Sequence, residues 1–237
     1  MKWFDNLITK LYNNIPIEKK AVPRSELLKD YYNNKYPTSH IYYNGRVMLG
    51  SNTRFRVDVR DFFTLNDANL NNVVNSLSMS TQTDNQKALT CLKWIIKNFP
   101  YKSDKTNYKQ GEFWCMPYES MAKMSGDCED GAILLANLLL VAGVPEWKIR
   151  INCGYVFEPV SKTQIGHAYL TFFDDEKERW VIIDWCYYPN LKKIIDREEY
   201  KKESMYQDVW FSFNSTHSWS KVEGDVRKMS GFEEKNL

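Results

Sequence analysis

The chain has no apolar run long enough to cross a bilayer. The longest, Ala132 to Pro145, falls short of the roughly 20 residues that a membrane helix needs, and Asn137 interrupts it. The first sixteen residues, MKWFDNLITKLYNNIP, hold no uninterrupted apolar core and no small-residue cleavage site, so no secretory signal is read there. An excess of charge is lacking too. The net charge is +2, which gives no reason to expect nucleic acid or an anionic membrane as partner. Paired cysteines are missing: Cys91, Cys115, Cys128, Cys153 and Cys186 are scattered, odd in number and free of CxxC spacing. That suits free thiols in a reducing compartment better than a disulfide framework, and it argues against a structural zinc site. Together these absences predict a soluble, cytoplasmic protein. There is no internal repeat and no low-complexity segment, and there are only three histidines: His40, His167 and His217.

What is present is a chain of 237 residues with an ordinary share of apolar and charged residues and many aromatics, enough for a proper core. Trp3, Phe4, Leu7, Ile8 and Leu11 recur at helical spacing, which predicts a short amphipathic helix over residues 3–12. That helix either packs on its own domain or docks a partner protein. Residues 13–40 are polar and interrupted by Pro16, Pro23 and Pro37, the pattern of a connecting arm. In "TRFRVDVRDFF", Phe55, Val57 and Val59 alternate with charges, a strand with one wet face. Helices are expected over 66–78 and 84–99, the second stopped by Pro100. From about Asp127 to Ala142 the residues are apolar almost all round, so that helix should be central and buried, with Gly143 at its C-cap. The pattern then turns to strands: "IRINCGYVF", "HAYLTFF", "RWVIIDW" and "VWFSFN". Helices first and strands afterwards predict an α+β domain with an antiparallel sheet.

Cys128 opens the buried helix inside "SGDCEDGAILLANLLLVAGVP". A structural cysteine belongs within such a run rather than at its mouth. A helix N-terminus offers unpaired N–H groups and the positive end of the dipole, which favour thiolate and can draw its pKa below the usual value of about 8.5. The same N–H groups can receive a developing oxyanion. A catalytic thiol needs a base, and the base an orienter. His167 opens one strand and Asp184 ends the next, with the turn-like "DDEKE" between them. If that hairpin closes symmetrically about Asp175 and Glu176, His167 lies directly opposite Asp184, with Cβ atoms roughly 4.5–5.5 Å apart. A buried carboxylate ending an apolar strand also needs a partner. The other cysteines read as small core residues, with Cys115 less clear, and His40 and His217 as surface residues.

These residues resemble the transglutaminase-like superfamily, most of all the bacterial transglutaminase-like cysteine peptidases. The likeness lies in "GDCED" opening an apolar helix, "GHAYL" beginning a strand, "IIDW" ending the next, and "FWCMPYESMAKMSGDCED" upstream, and it runs from about Leu65 to Asn214. It implies a papain-like core with the nucleophile's helix packed on the antiparallel sheet. It also implies Cys128 as nucleophile, His167 as general base and acid, and Asp184 as the residue that orients His167. The organisation expected is an N-terminal helix and arm with a strand over 1–60, a catalytic domain over 61–220 and a polar tail over 221–237. The reaction implied is attack on a peptide or glutamine carbonyl of a protein substrate through a thioester. Water would then give hydrolysis, and an amine cross-linking. A non-catalytic binding or structural module on the same fold, virion-associated as the occurrence of such relatives in bacteriophage genomes would allow, is the reading from another class. Trp114 either lines the cleft or packs in the core. The chemistry requires no cofactor, but some adhesin-processing relatives depend on calcium, and the resemblance makes Asp127 and Glu129 the candidate ligands; the alternative is that Asp127 caps the helix and Glu129 and Asp130 favour its first turn. Those relatives are periplasmic, whereas no export signal is read here, and the arm before about residue 60 has no counterpart in the likeness.

Overall fold

A computed structural model describes residues 24–47, 54–158, 161–220 and 224–225. The amphipathic helix expected over 3–12 and most of the expected tail lie outside the described residues. The chain divides into two compact units, Met1–Tyr36 and Pro37–Leu237. In the first, helix α1 (Arg24–Asn34) stands where an arm is expected from the prolines. Pro23 and Pro37 flank this stretch, and no proline falls inside it to break the ladder.

The second unit starts earlier than the boundary expected near residue 60, and takes in two strands, β1 (Ile41–Val47) and β2 (Arg54–Asp58), paired antiparallel around a bulge. The alternation seen in the sequence stops at Asp58. Its carboxylate accepts the Arg60 N–H at 2.9 Å and starts a 3-10 turn over Val59–Phe62. Val57 and Val59 are buried, but Phe55 is exposed, against the expected pattern. Helices α2 (Ala68–Ser76) and α3 (Asp84–Asn98) follow, each with a side-chain cap: Asp67 for the first, and Thr83 with Gln86 as a capping box for the second. Two short helices, α4 (Asp104–Asn107) and α5 (Pro117–Lys123), lead into α6 (Cys128–Val141).

Helix α6 is the centre of the fold, as its composition predicts. Ala132, Ile133, Leu134, Leu135, Ala136, Leu138 and Leu139 have no exposed surface. Each of the larger side chains gains about 1.5–3 kcal/mol from that burial. Asn137 is buried among them because it serves the backbone. Its amide donates to Phe62 O at 3.1 Å and Ile133 O at 2.9 Å, and its carbonyl accepts the Thr64 N–H at 2.9 Å. The helix ends at Val141 with Ala142 as its C-cap, one residue before the Gly143 expected there, and Gly143 turns the chain with a φ of 84° that an L side chain rarely adopts. Val144 N–H returns to Leu139 O at 3.0 Å and Gly143 N–H to Leu140 O at 2.9 Å, which satisfies the last carbonyls.

Strands β3 (Ile149–Glu158), β4 (Thr163–Asp174), β5 (Arg179–Ile183), β6 (Tyr206–Phe213) and β7 (Ser218–Ser220) form one sheet in the order β5-β4-β3-β6-β7. Every neighbouring pair is antiparallel. A last strand, β8 (Gly224–Asp225), pairs parallel to β1. Helix α6 lies on β4 and β3, with α2, α3 and α5 around it, so the α+β architecture with a central helix on an antiparallel sheet is the one observed. Among the described residues, no helix is long and apolar enough to cross a membrane.

The hairpin register differs from the symmetric closure by two residues. Leu170 faces Ile183 and Asp174 faces Arg179, so the turn spans residues 175–178. An even shift leaves every side chain on its expected face. It puts Asp184 level with Tyr169, one diagonal step from His167, still within side-chain reach.

Candidate active site

Cys128 is the first residue of α6 and is half-buried. Trp185 fixes this end of the helix by donating its indole N–H to the Cys128 carbonyl at 3.2 Å. The indole fits because residue 131 is glycine: a Cβ there would lie 2.2 Å from the Trp185 ring. Helix α6 packs on β4, and the backbone N–H of Ala168 on that strand favours the Cys128 thiolate. The residue before Ala168 on that strand is His167.

His167 is 3% exposed, and its Nε2 lies 2.7 Å from Asp184 Oδ2. A carboxylate can only accept, so Nε2 carries the proton. Nδ1 is then the basic nitrogen, and it is buried without a hydrogen-bond partner. Asp184 is held by two further donors. Tyr206 Oη reaches Oδ2 at 2.8 Å, and the Cys186 N–H reaches Oδ1 at 3.1 Å. Burial opposes the Asp184 charge, but the His167 charge and hydrogen bond, with the Cys186 and Tyr206 donors, outweigh it and hold the carboxyl below its ordinary value. Tyr206 is not singled out by the sequence, since nothing local marks one aromatic in "YQDVWFSF" as facing Asp184. Cys186, expected as a core residue in a strand, lies past the end of β5 and is half-buried, with its sulfur close to His167 and Asp184.

On the other side of Cys128 is a cluster of carboxylates. Oxygens of Asp104, Asp127 and Asp130 lie within 4.8 Å of one another, as do those of Asp104, Glu112 and Glu129. Asp127 and Glu129 are legible in the sequence; Asp104 opens the short helix α4 and Glu112 lies in the loop after it, neither tied to α6 by any local pattern, and Asp130 reads as an ordinary first-turn acid. Asp127 occupies the N-cap position, yet its side chain makes no capping bond. Asp130 accepts the Cys115 N–H at 2.8 Å, and Asp104 accepts the Phe113 N–H. Asp104 Oδ1, Asp127 Oδ1, Glu129 Oε1 and Asp130 Oδ2 are buried with no partner. Burial, then the charges of Asp127 and Asp130, push the Asp104 carboxyl up to about 9. Burial, then Asp127, also raise Glu129 and Asp130.

This cluster reverses the expectation for the thiol. Burial first, and then the Asp127 charge, push the Cys128 thiol up, where the helix N-terminus alone would lower it. The thiol donates to Glu129 Oε2 at 3.2 Å. Buried like charges need either protons or a cation. Hard carboxylate oxygens in this number, several lacking any donor, are the ligand set that calcium takes.

Trp114 is in the core rather than in a cleft. It is 4% exposed, stacks on Tyr43 at 5.3 Å, and donates its indole N–H to Glu112 Oε1 at 2.7 Å, so it orients one acid of the cluster. Arg46 of β1 braces the same segment through Trp114 O at 3.1 Å and a bidentate pair with Glu119. Cys91, Cys115 and Cys153 are buried. His40 is exposed, and His217 stacks on Trp219 at 5.6 Å and bonds Thr216 at 2.8 Å.

The pattern of the transglutaminase-like superfamily matches residues 71–185, a span that includes Cys128, His167 and Asp184. No curated protein matches the chain. Among solved structures, the fold is similar to that of calcium-bound LapG from Legionella pneumophila, with 22% identity and a TM-score of 0.48 over 70% of this chain and 80% of that one. The EGTA-treated form of LapG is similar over 64% of this chain and 73% of its own, again at 22% identity and a TM-score of 0.48.

Proposed function

We propose that this chain, which carries a transglutaminase-like superfamily domain over residues 71–185, is a thiol hydrolase that cuts protein substrates through a thioester. The observation that carries this reading is the His167–Asp184 pair at 2.7 Å, with the buried Nδ1 left unpartnered beside the strand position that meets Cys128. Cys128 is the nucleophile, His167 the base and acid, and Asp184 the orienter.

His167 Nδ1 takes the thiol proton, and the sulfur attacks the substrate carbonyl carbon. A C–S bond forms and the carbonyl π pair moves to oxygen. The oxyanion collapses, the C–N bond breaks, and the imidazolium proton goes to the leaving amine. Water then gives a proton to Nδ1 and attacks the thioester. The C–S bond breaks, the acid product leaves, and the proton returns to sulfur. Asp184 stays charged throughout and stabilises the imidazolium.

The same reading gives the acidic cluster to calcium, with Asp104 shared between two sets of acids, Asp127 and Asp130 on one and Glu112 and Glu129 on the other, that would hold it. When bound, the ion supplies the positive charge that these acids lack. Glu129 belongs to both sites, since one oxygen accepts the Cys128 thiol and the other has no partner.

A proteome-derived peptide mixture tests the function. With calcium present, the wild-type chain cuts a defined set of peptides and Cys128→Ala cuts none. A mixture left whole by the wild type, or cut equally by the variant, overturns it.

A further inference from the structure

Two large rings beside Cys128 stay open to solvent. Tyr101 is 48% exposed and Tyr187 is 38% exposed. They come from different segments. Tyr101 follows α3 and bridges to Gly126, two residues before Cys128, with the Lys102 N–H donating to Gly126 O at 2.8 Å. Tyr187 lies three residues past Asp184. The rings meet edge to face with centroids 6.2 Å apart. Each also rests on a residue of the site. Tyr187 stands edge to face on His167 at 4.6 Å, and Tyr101 lies 6.3 Å from Trp185, whose indole holds the Cys128 carbonyl. Both rings therefore rest on residues of the site and keep part of their surface exposed.

We propose that Tyr101 and Tyr187 form the subsite for an aromatic or branched apolar side chain of the substrate, next to the carbonyl that Cys128 attacks. The proposal rests on the reading of Cys128 as nucleophile. Supported rings lose little freedom on binding, and they offer both apolar area and edge-to-face contact. Both tyrosines go unnoticed in the sequence because each is one aromatic among many.

The test uses the full chain in calcium and three chloromethyl ketones, N-acetyl-phenylalanyl, N-acetyl-alanyl and N-acetyl-lysyl. Labelling of Cys128 is followed by peptide mass spectrometry. The phenylalanyl reagent should react on the order of tenfold faster than the alanyl one. That ratio should fall to near one in the Tyr101→Ala, Tyr187→Ala double variant and persist in Tyr101→Phe, Tyr187→Phe, which keeps the rings. A purely structural role would slow both reagents alike and leave the ratio. A wild-type ratio near one, a ratio unchanged by the double alanine variant, or fastest labelling by the lysyl reagent overturns the subsite. Iodoacetamide, which carries no side chain, separates the two readings. If it singles out Cys128 while the ratio stays near one, only the subsite falls; if it does not single out Cys128, both fall.

Discussion

Asp184 and Asp130 are both buried carboxylates, and the chain treats them in opposite ways. Asp184 has three donors from its own chain, His167, Tyr206 and the Cys186 N–H, and its carboxyl is held down. Asp130 accepts the Cys115 N–H, but one of its oxygens is orphaned, and burial, then the Asp127 charge, push its carboxyl up. A carboxylate that its own fold satisfies can hold a base in place. A carboxylate that its own fold leaves short marks a place for something from outside.

The most severe way to test the satisfied side is Asp184→Asn. The variant should fold, but lose roughly 10⁴-fold in kcat, as a mis-set imidazole tautomer does elsewhere. Calcium should not rescue it. Turnover within a few-fold of wild type would remove Asp184 from its role.

The unsatisfied side is probed by the ion. At a hundredfold excess over Kd, calcium should add about 2.7 kcal/mol of stability, a rise in Tm of roughly 5–10 °C for a domain of this size. Asp130→Asn keeps the acceptor for Cys115 and removes one charge. Its Tm should rise in EGTA and respond less to calcium, and scanning calorimetry reads both. A wild-type Tm indifferent to calcium would end the assignment of the cluster.

The two sites also differ in the sign of their pH dependence. The cluster acids have raised folded-state values, so the folded chain keeps protons that the unfolded chain releases. In EGTA this contribution is full below the ordinary carboxylate range and is lost as pH rises, through about 9 for Asp104. Asp184 is depressed, so its contribution is present above its ordinary value of 3.8 and lost as pH falls below that. Denaturant titration in EGTA should show stability falling from about pH 5 toward pH 9, and calcium should flatten that slope. A slope unchanged by calcium would break the contrast. The smallest expected effect is that of Tyr206→Phe, which removes one of three donors to Asp184 and should lower kcat about tenfold, measured on any cleaved peptide.

Much of this was legible in the residues. The burial of α6 follows from its all-round apolar composition, and its end from Gly143 and Pro145. The pairing of His167 with Asp184 follows from hairpin symmetry, and the two-residue shift in register preserves it because side-chain direction repeats every two residues. The wider acid cluster was not legible, because Glu112 lies in a loop held by Tyr43 and Arg46 of a strand far upstream, and Asp104 meets that loop from the start of α4 through the Phe113 N–H. The upward push on Cys128 was missed for the same reason: a helix N-terminus is visible in a sequence, but the acids folded against it are not. Trp114 suits core or cleft equally by sequence, and its stacking on Tyr43 comes from a strand that no local pattern links to it.

The most direct test of the central claim is alkylation of the five cysteines by iodoacetamide in calcium, followed residue by residue across pH, in wild type and His167→Ala. The account predicts that Cys128 reacts first, well ahead of the equally half-buried Cys186, and that losing His167 slows it at least tenfold near neutral pH. Cys128 reacting no faster than Cys186, or at a rate indifferent to His167, would contradict it.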